Sequence, residues 1–563
     1  MDRKQFFQSI YTPVKSQETA SKKELVKSSI AKYPTLTGLA PYTGTWGTLQ
    51  AAHLLKRTMF GSTYSDIQTL VNQGMSSAVD SMLNLISLPL PPPPIKDYTT
   101  GTDTAVTLGT TWVNDILIGG AGGTNGNRTN SFKKWWVGLI INQDRNIREK
   151  MTVFWQNHFG IEADTIVNGN MIYGHNTYLR QNCLGNFKNM VSAVSTQAAM
   201  LFYLNNNTNT KTAPNENYAR ELMELFTLGK GPNSQYTQKD VETAAKALTG
   251  WRISNTNLAV SFDITKHDTT NKTFSSFFNS TVITGQTGAT AGALELDSLI
   301  NMIFAKDEVA KFICRKIYRF FVYYEIDSNV ETNVITPLAT IFVNNNYDIL
   351  PVLTTLFKSE HFYDANVIAS VIKPPLDKVL GLVREFNIPL PVASDYATTY
   401  SLLNKFLNKS ISLNQTLADP PNVSGWPAYY QIPSFHELWI NAASYSARVA
   451  YADLMVNSGL SSNGFSMQID VINFAKTLSN PSDPNILIAD VILIIYTVYF
   501  SPADILTLKI NTLLGGQTSD SYWTTAWTDY IADPTNNVKK NIVKSRLTSL
   551  ILTLIKKEEY QLS

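Results

Sequence analysis

Apolar residues recur at helical spacing in one segment after another along most of this chain. Side chains that repeat every 3.6 residues share one face of a helix, and such a face must pack against a neighbouring element. The run 47–61 shows this pattern and stops at Gly61, a residue suited to a helix C-cap. Further segments of this kind lie near 65–83 and at 132–141, 147–159, 173–182, 186–204, 216–228, 237–250, 293–305, 307–324, 347–358, 370–386, 398–407, 434–456, 484–499, 502–513 and 536–557. We therefore predict an all-α fold with a multi-helix, bundle-like body.

Two stretches break the helical pattern. The prolines at 91–94 force an extended segment, and the glycines that follow lengthen it into a loop over 89–130. Between 253 and 282, short apolar runs flank a polar string, which predicts a small β-hairpin insert. Residues 1–46 are polar and poorly periodic. We expect them to form an N-terminal arm, followed by one helical body over 47–563 with a candidate C-terminal helical lobe at 430–563.

Charge and composition exclude several kinds of partner. The net charge is +2, charged residues make up 16% of the chain, and no basic stripe is visible, so nucleic acid is not an expected partner. The segment 486–500 is too short to cross a membrane and contains Asp490, so we expect a buried helix and no transmembrane segment. The first residues have no apolar stretch typical of a secretory signal. Cys183 and Cys314 are too few for a disulfide framework, and we expect buried free thiols.

Several strings resemble one known family. They are HLLKR at 53–57, MTVFWQNHF at 151–159, LGNF at 184–187, PNENYARELMELFTLG at 214–229, ALTGW at 247–251, PPNVSGWP at 420–427 and EYQL at 559–562. Together they resemble the large bacterial domain-of-unknown-function family numbered eighteen hundred, from about residue 47 to the end of the chain. The central string is long and specific.

This resemblance implies a mostly helical, often exported bacterial protein. Genes of the family often lie beside one for a second exported protein similar to sulfatases and alkaline phosphatases, which is therefore a candidate partner. Two departures stand out. Many members carry an export signal that is not visible here, and many carry histidine where this chain has Phe226, so a ligand role at that position cannot hold.

The central string offers a candidate catalytic site on one helix. Glu221 and Glu224 are three residues apart, and two carboxylates one turn apart can perform acid–base chemistry or share a divalent metal ion. The structural alternative is an ion-pair network in which Arg220 bridges Glu216 and Glu224, each four residues away. Asn215 can cap the start of the helix.

Each of the other candidate residues has a functional and a structural interpretation. His158 ends an aromatic-rich helix and is either a general base or ligand, or a histidine bonded to a carbonyl. His267 and Asp268 lie in the insert as a base with its orienting acid, or as turn formers. Trp426 is either a platform for a sugar ring or a plug between helices. The candidate binding residues are Asn215, Glu216, Arg220, His53, Arg57, Trp251 and Trp426.

Three hypotheses on function follow. The first is an exported or envelope-associated enzyme that acts on a polymer such as a glycan, in a cleft lined by Glu221, Glu224, His158 and His267. The second is a non-catalytic binding or assembly scaffold that works with the sulfatase-like or phosphatase-like partner and presents a broad apolar patch. The third, metal storage or transport, needs more ligands than the sequence offers.

Overall fold

The computed structural model describes residues 37–85, 88–101, 103–117, 123–426 and 439–563. Most of the predicted arm, the glycines at 119–122 and the start of the predicted C-terminal lobe lie outside these residues. In the described ranges, helices dominate and the sheet structure is limited to three two-stranded antiparallel hairpins. The prediction of an all-α fold with a small β insert is confirmed.

Helices of very different lengths build the first part of the body. They are α1 (Thr48–Thr58), α2 (Tyr64–Gln73), α3 (Met75–Leu83), α4 (Thr124–Ile141), α5 (Arg148–His158), α6 (Ala163–Ile166), α7 (Gly169–Gln181), α8 (Phe187–Val194), α9 (Ala198–Tyr203), α10 (Asn217–Glu221), a π-helical turn (Leu222–Thr227) and α11 (Gln238–Ala247). The single helix expected near 65–83 is split at Gly74, which has a φ of 75°.

The second part repeats this construction. Its helices are α12 (Ala291–Phe304), α13 (Asp307–Phe321), α14 (Ser328–Val330) with a π turn (Glu331–Ile335), α15 (Thr336–Asn344), α16 (Ile349–Phe357), α17 (Pro375–Glu385), α18 (Tyr396–Ser412), α19 (Ala442–Asn457), α20 (Val471–Lys476), α21 (Pro484–Ile495), α22 (Pro502–Asn511), α23 (Ser521–Ala532) and α24 (Asn537–Ile555).

The insert contains two hairpins where the sequence predicted one. Strands β1 (Trp251–Ile253) and β2 (Val260–Phe262) pair with Trp251 opposite Phe262, and β3 (Lys272–Thr273) pairs with β4 (Val282–Ile283). A third hairpin, β5 (Leu460–Ser462) with β6 (Phe465–Met467), was not predicted. It turns at Asn463 and Gly464, both with positive φ, which is the conformation that an Asn-Gly pair favours in a two-residue hairpin loop.

The predicted loop 89–130 is shorter than expected, because α4 already begins at Thr124. Arg128 on this helix ties the loop down. Its Nε and Nη2 atoms donate to the two carboxylate oxygens of Asp103 at 3.0 and 2.9 Å. Such a two-point contact between guanidinium and carboxylate fixes both distance and orientation, so it holds Asp103 of the loop against α4.

One continuous apolar core runs from Ala51 in α1 to Tyr560 near the end of the chain. The described helices of the predicted C-terminal lobe, α19 to α24, contribute to this same core. Lys56 of α1 also donates to the Ile494 carbonyl in α21 at 2.6 Å, across 438 positions of the sequence. No helix in the described ranges is long and apolar enough to span a bilayer.

Candidate functional site

The central string forms a helix that changes its winding halfway. Residues 217–221 are α-helical, and Leu222–Thr227 form a π turn, in which the backbone N–H of Leu228 donates to the Met223 carbonyl at 2.9 Å. Asn215 lies just before the N-cap residue Glu216, and its side chain accepts from the Asn217 N–H at 2.9 Å. Single π turns are rare in proteins and frequent at functional sites. The sequence predicted one regular helix here.

A pocket of about 310 Å³ opens beside this helix. One wall is the helix itself, with the side chains of Arg220, Glu221, Glu224 and Leu225, followed by Lys230. The opposite wall is the loop 422–424. The two walls come from the two most characteristic strings of the sequence, which lie about two hundred residues apart along the chain and meet only in the folded protein. We call this pocket the acidic cleft.

The two glutamates of the acidic cleft have different surroundings. Burial, and secondarily the charge of Glu224, raise the pKa of Glu221 to about 7, against the opposing influence of Arg220 and Lys230. Glu224 accepts instead from Lys230 Nζ at 3.2 Å. A carboxyl group whose pKa is raised in this way can act as a proton donor near neutral pH.

Arg220 pairs with Glu216 at 2.9 Å and with the Gln238 side chain at 2.9 Å. The predicted contact of Arg220 with Glu216 is therefore formed, whereas Glu224 is bound by Lys230. Because the π turn changes the spacing of side chains after Glu221, the simple four-residue ladder of an α-helix does not continue to Glu224. Arg220 is consequently held at the rim of the acidic cleft by residues outside it.

Asn157 holds the loop wall in place. Its Oδ1 accepts from the Trp426 N–H at 2.7 Å and its Nδ2 donates to the Trp426 carbonyl at 3.3 Å, so one side chain satisfies both backbone groups of one residue. Gly425 has a φ of 86°, and Gly160 leaves room for the Val423 carbonyl, which a Cβ there would approach to 2.6 Å. Sequence reasoning did not single out Asn157, although it lies within the family-like string 151–159.

His158 lies behind the helix wall and does not line the acidic cleft. Its Nε2 faces the Phe226 carbonyl at 3.1 Å, and its Nδ1 faces Lys316 Nζ at 3.0 Å. The carbonyl accepts only, so Nε2 carries the proton and Nδ1 accepts from Lys316. Burial, and secondarily the charge of Lys316, hold the pKa of His158 well below its usual range. The neutral imidazole acts as a hydrogen-bond bridge at this place.

Lys316 is the second residue that sequence reasoning missed. It belongs to α13, and its Nζ also donates to the Leu225 carbonyl at 3.3 Å. Desolvation lowers the pKa of Lys316 to about 7. In the sequence it is one of several cations in a strongly amphipathic helix, and only the inward direction of its ammonium group distinguishes it from the others.

The residues of the insert form a separate network. His267 Nε2 lies 3.1 Å from Glu295 Oε1, and Lys272 Nζ lies 2.6 Å from Glu295 Oε2, with all three side chains fully buried. Asp268 forms a turn, because its Oδ1 accepts from the Thr270 N–H at 2.8 Å. Trp251 packs edge-on against Phe262 at a ring distance of 5.4 Å. None of the predicted residues of the insert lines the acidic cleft.

The remaining predicted binding residues are buried in packing contacts. His53 bonds the Phe362 carbonyl at 3.0 Å, and Arg57 bonds the Val367 carbonyl at 2.9 Å. Trp426 is 7% exposed and packs in a small second core with Trp439. Cys183 and Cys314 are buried free thiols. In the part of the chain that the structure describes, no three His, Cys, Asp or Glu side chains are grouped so that they could hold a metal ion.

Comparison with known proteins gives one match. No curated protein and no solved structure matches the chain. A family model described as protein of unknown function (DUF1800) matches residues 53–562, a range that contains the whole of the acidic cleft together with Asn157, His158 and Lys316. Since this range is most of the chain, the protein belongs to the DUF1800 family of proteins of unknown function.

Proposed function

We propose that the protein is an exported or envelope-associated hydrolase that cleaves a hydroxyl-rich polymer such as a glycan in the acidic cleft. The observation that carries this proposal is the pair of carboxyl groups with unequal surroundings, Glu221 with a pKa raised to about 7 and Glu224 beside Lys230. A carboxyl group that stays partly protonated near neutral pH can donate a proton to a leaving oxygen.

In the proposed reaction, the Glu221 carboxyl group donates its proton to the bridging oxygen as the bond to the leaving unit breaks. Glu224 accepts a proton from the water molecule that attacks the substrate. One water is consumed, and the proton it loses to Glu224 later replaces the one donated by Glu221. Pairs of carboxyl groups divide the work in this way in inverting glycoside hydrolases.

Three features support a polymeric, polar substrate. The acidic cleft is open to solvent along the groove between helix and loop, and most of its lining side chains are polar or charged. Asn422 and Ser424 contribute polar side chains and backbone on the loop side. The π turn beside Glu221 is a distortion of a kind that is enriched at functional sites.

The proposal is tested by glutamine substitutions assayed on a panel of cell-envelope polysaccharides for newly released reducing ends. We expect Glu221→Gln and Glu224→Gln each to lower the turnover by about a hundredfold or more. The matched control is Glu242→Gln, on the exposed face of α11, where the carboxylate binds Lys239 at 3.0 Å. If wild type cleaves a polymer and both cleft variants cleave it equally well, the assignment is wrong.

A second candidate function is a scaffold that binds a sulfatase-like or alkaline-phosphatase-like partner. It is favoured by exposed apolar side chains on α24, where Val538 is 71% exposed and Ile542, one turn later, is 43% exposed. The test is binding of the purified partner to three proteins: wild type, the double variant Val538→Asp with Ile542→Asp, and Glu221→Gln. The scaffold function is supported if the double variant does not bind and Glu221→Gln does. It is rejected if wild type does not bind.

A further inference from the structure

We propose that Lys316 and His158 are positioning residues that hold the π turn of the acidic cleft in place and thereby maintain the partly buried site of Glu221. We call the two side chains the Lys316–His158 bracket. The inference rests on the proposed function in that it treats Glu221 as the group whose surroundings matter. Its test needs no substrate.

The bracket connects three helices behind the acidic cleft. His158 is the last residue of α5, Lys316 is on α13, and both point at the end of the π turn. Lys316 Nζ donates to His158 Nδ1 at 3.0 Å and to the Leu225 carbonyl at 3.3 Å, while His158 Nε2 donates to the Phe226 carbonyl at 3.1 Å. The side chain of Leu225 lines the acidic cleft on the other face of the same turn.

The winding of the π turn explains why these donors are needed. The carbonyl of Met223 accepts from both the Leu228 N–H at 2.9 Å and the Gly229 N–H at 3.1 Å, so the chain leaves the helix immediately afterwards. The last carbonyls of any helix have no backbone donor within the helix. Leu225 and Phe226 are both buried, and a buried carbonyl without a donor costs free energy. The bracket supplies a donor to each of them.

The contacts of the bracket do not depend on the protonation state of Lys316. Lys316 Nζ lies 5.0 Å from the centre of the Phe312 ring, and Arg319 on the same helix adds positive charge. Both the ammonium and the neutral amine carry N–H donors, and His158 is neutral, so its Nδ1 accepts from either form of Lys316. Loss of the proton from Lys316 therefore leaves the contacts of the bracket in place.

The pKa of Glu221 depends on the position of the π turn, because the turn determines how deeply Glu221 is buried and how close Glu224 lies. Both influences raise its pKa, whereas Arg220 and Lys230 lower it. Across the site, Tyr203 donates to Glu162 Oε1 at 2.7 Å, and Glu221 contributes to the raised pKa of Tyr203. If the π turn loosens, water reaches Glu221 and Glu224 moves away. The pKa of Glu221 then falls towards that of an ordinary glutamate.

The experiment measures the titration of Glu221 by NMR in full-length protein labelled with ¹³C at the glutamate carboxyl carbon, with Glu221→Gln to assign the signal. The variants are Lys316→Met, which keeps the stem length and removes all three N–H donors, and His158→Gln, a milder change. Matched controls are Lys378→Met, a buried lysine resting on the Tyr560 ring at 3.8 Å, and His175→Gln, a buried histidine facing the Phe159 carbonyl at 3.3 Å.

We expect the titration midpoint of Glu221 to fall by about one pH unit or more in both bracket variants and to stay at the wild-type value in both controls. If Lys316→Met does not fold, the same fall in His158→Gln supports the proposal. An unchanged midpoint in a folded bracket variant overturns it, as does an equal fall in the controls. Failure of the hydrolase proposal appears separately, as unaltered turnover in Glu221→Gln.

Discussion

The raised pKa of Glu221 makes a prediction about stability that is independent of any substrate. A carboxyl group whose pKa rises from 4.5 in the unfolded chain to about 7 in the folded protein binds its proton more tightly when folded. The folded state therefore loses stability as the pH rises from 4.5 to about 7, and the whole penalty is present above that range. Glu221→Gln removes the ionisable group and with it the penalty.

The change in the free energy of unfolding follows from the pKa shift of Glu221. A pKa shift from 4.5 to about 7 corresponds to a loss of about 3 kcal/mol of stability at alkaline pH. Because Glu221 is only partly buried and solvent screens its charge, we expect about half of it, ~1.5 kcal/mol. Glu221→Gln should therefore raise the free energy of unfolding by ~1.5 kcal/mol at about pH 8.5 and by less than ~0.5 kcal/mol at about pH 5.

The assay is urea-induced unfolding followed by tryptophan fluorescence, with both proteins measured at both pH values. The control is Glu242→Gln, because Glu242 is exposed and its pKa is lowered by Lys239, so its replacement should give no gain at alkaline pH. A variant at Glu221 that is no more stable than wild type at alkaline pH, or one that gains equally at both pH values, would refute this account of the acidic cleft.

Three further predictions concern packing and reactivity. Glu295→Leu leaves the buried side chains of Lys272 and His267 without their carboxylate partner, and it should lower the free energy of unfolding by about 3–5 kcal/mol in urea titrations. A loss below about 1 kcal/mol would contradict a buried polar network around Glu295. Asn157→Ala removes both hydrogen bonds to the Trp426 backbone. We expect the free energy of unfolding to fall by about 1–3 kcal/mol and proteolytic cleavage near residue 424 to become faster. Unchanged cleavage would show that other contacts hold the loop. Cys183 and Cys314 should not react with an aromatic disulfide reagent at about pH 8 until urea unfolds the chain, because burial raises the pKa of both thiols, and rapid reaction of the native protein would contradict their burial.

Much of the fold could be predicted because helix formation leaves a local pattern. The segment 307–324 was expected to be helical, and α13 covers Asp307–Phe321; the segment 293–305 corresponds to α12, Ala291–Phe304. In each case the apolar spacing of about a dozen neighbouring residues carries the information. Residues 91–94 within the predicted loop 89–130 likewise form no helix, as their prolines require.

Some of the differences had local signals that the helical pattern concealed. Gly74 and Gly123, each with a φ of 75°, are the N-cap residues of α3 and α4, so glycines mark both the break in the segment 65–83 and the start of α4. The third hairpin had a local signal in Asn463 and Gly464, but its strands are only three residues long, too short for a strand pattern to be visible.

The sequence by itself determined the all-α class, the family and the two strings that form the acidic cleft. The tertiary structure decided which of their residues lie next to each other. Glu221 and Glu224 share the cleft, whereas His158 stands behind its wall and His267 belongs to a buried network in the insert. Lys316 and Asn157 could be identified only from the tertiary structure, which shows what their polar groups contact. The physical reason is that helical periodicity is a property of neighbours in the chain, whereas desolvation and hydrogen bonding depend on what the folded chain brings within a few ångströms.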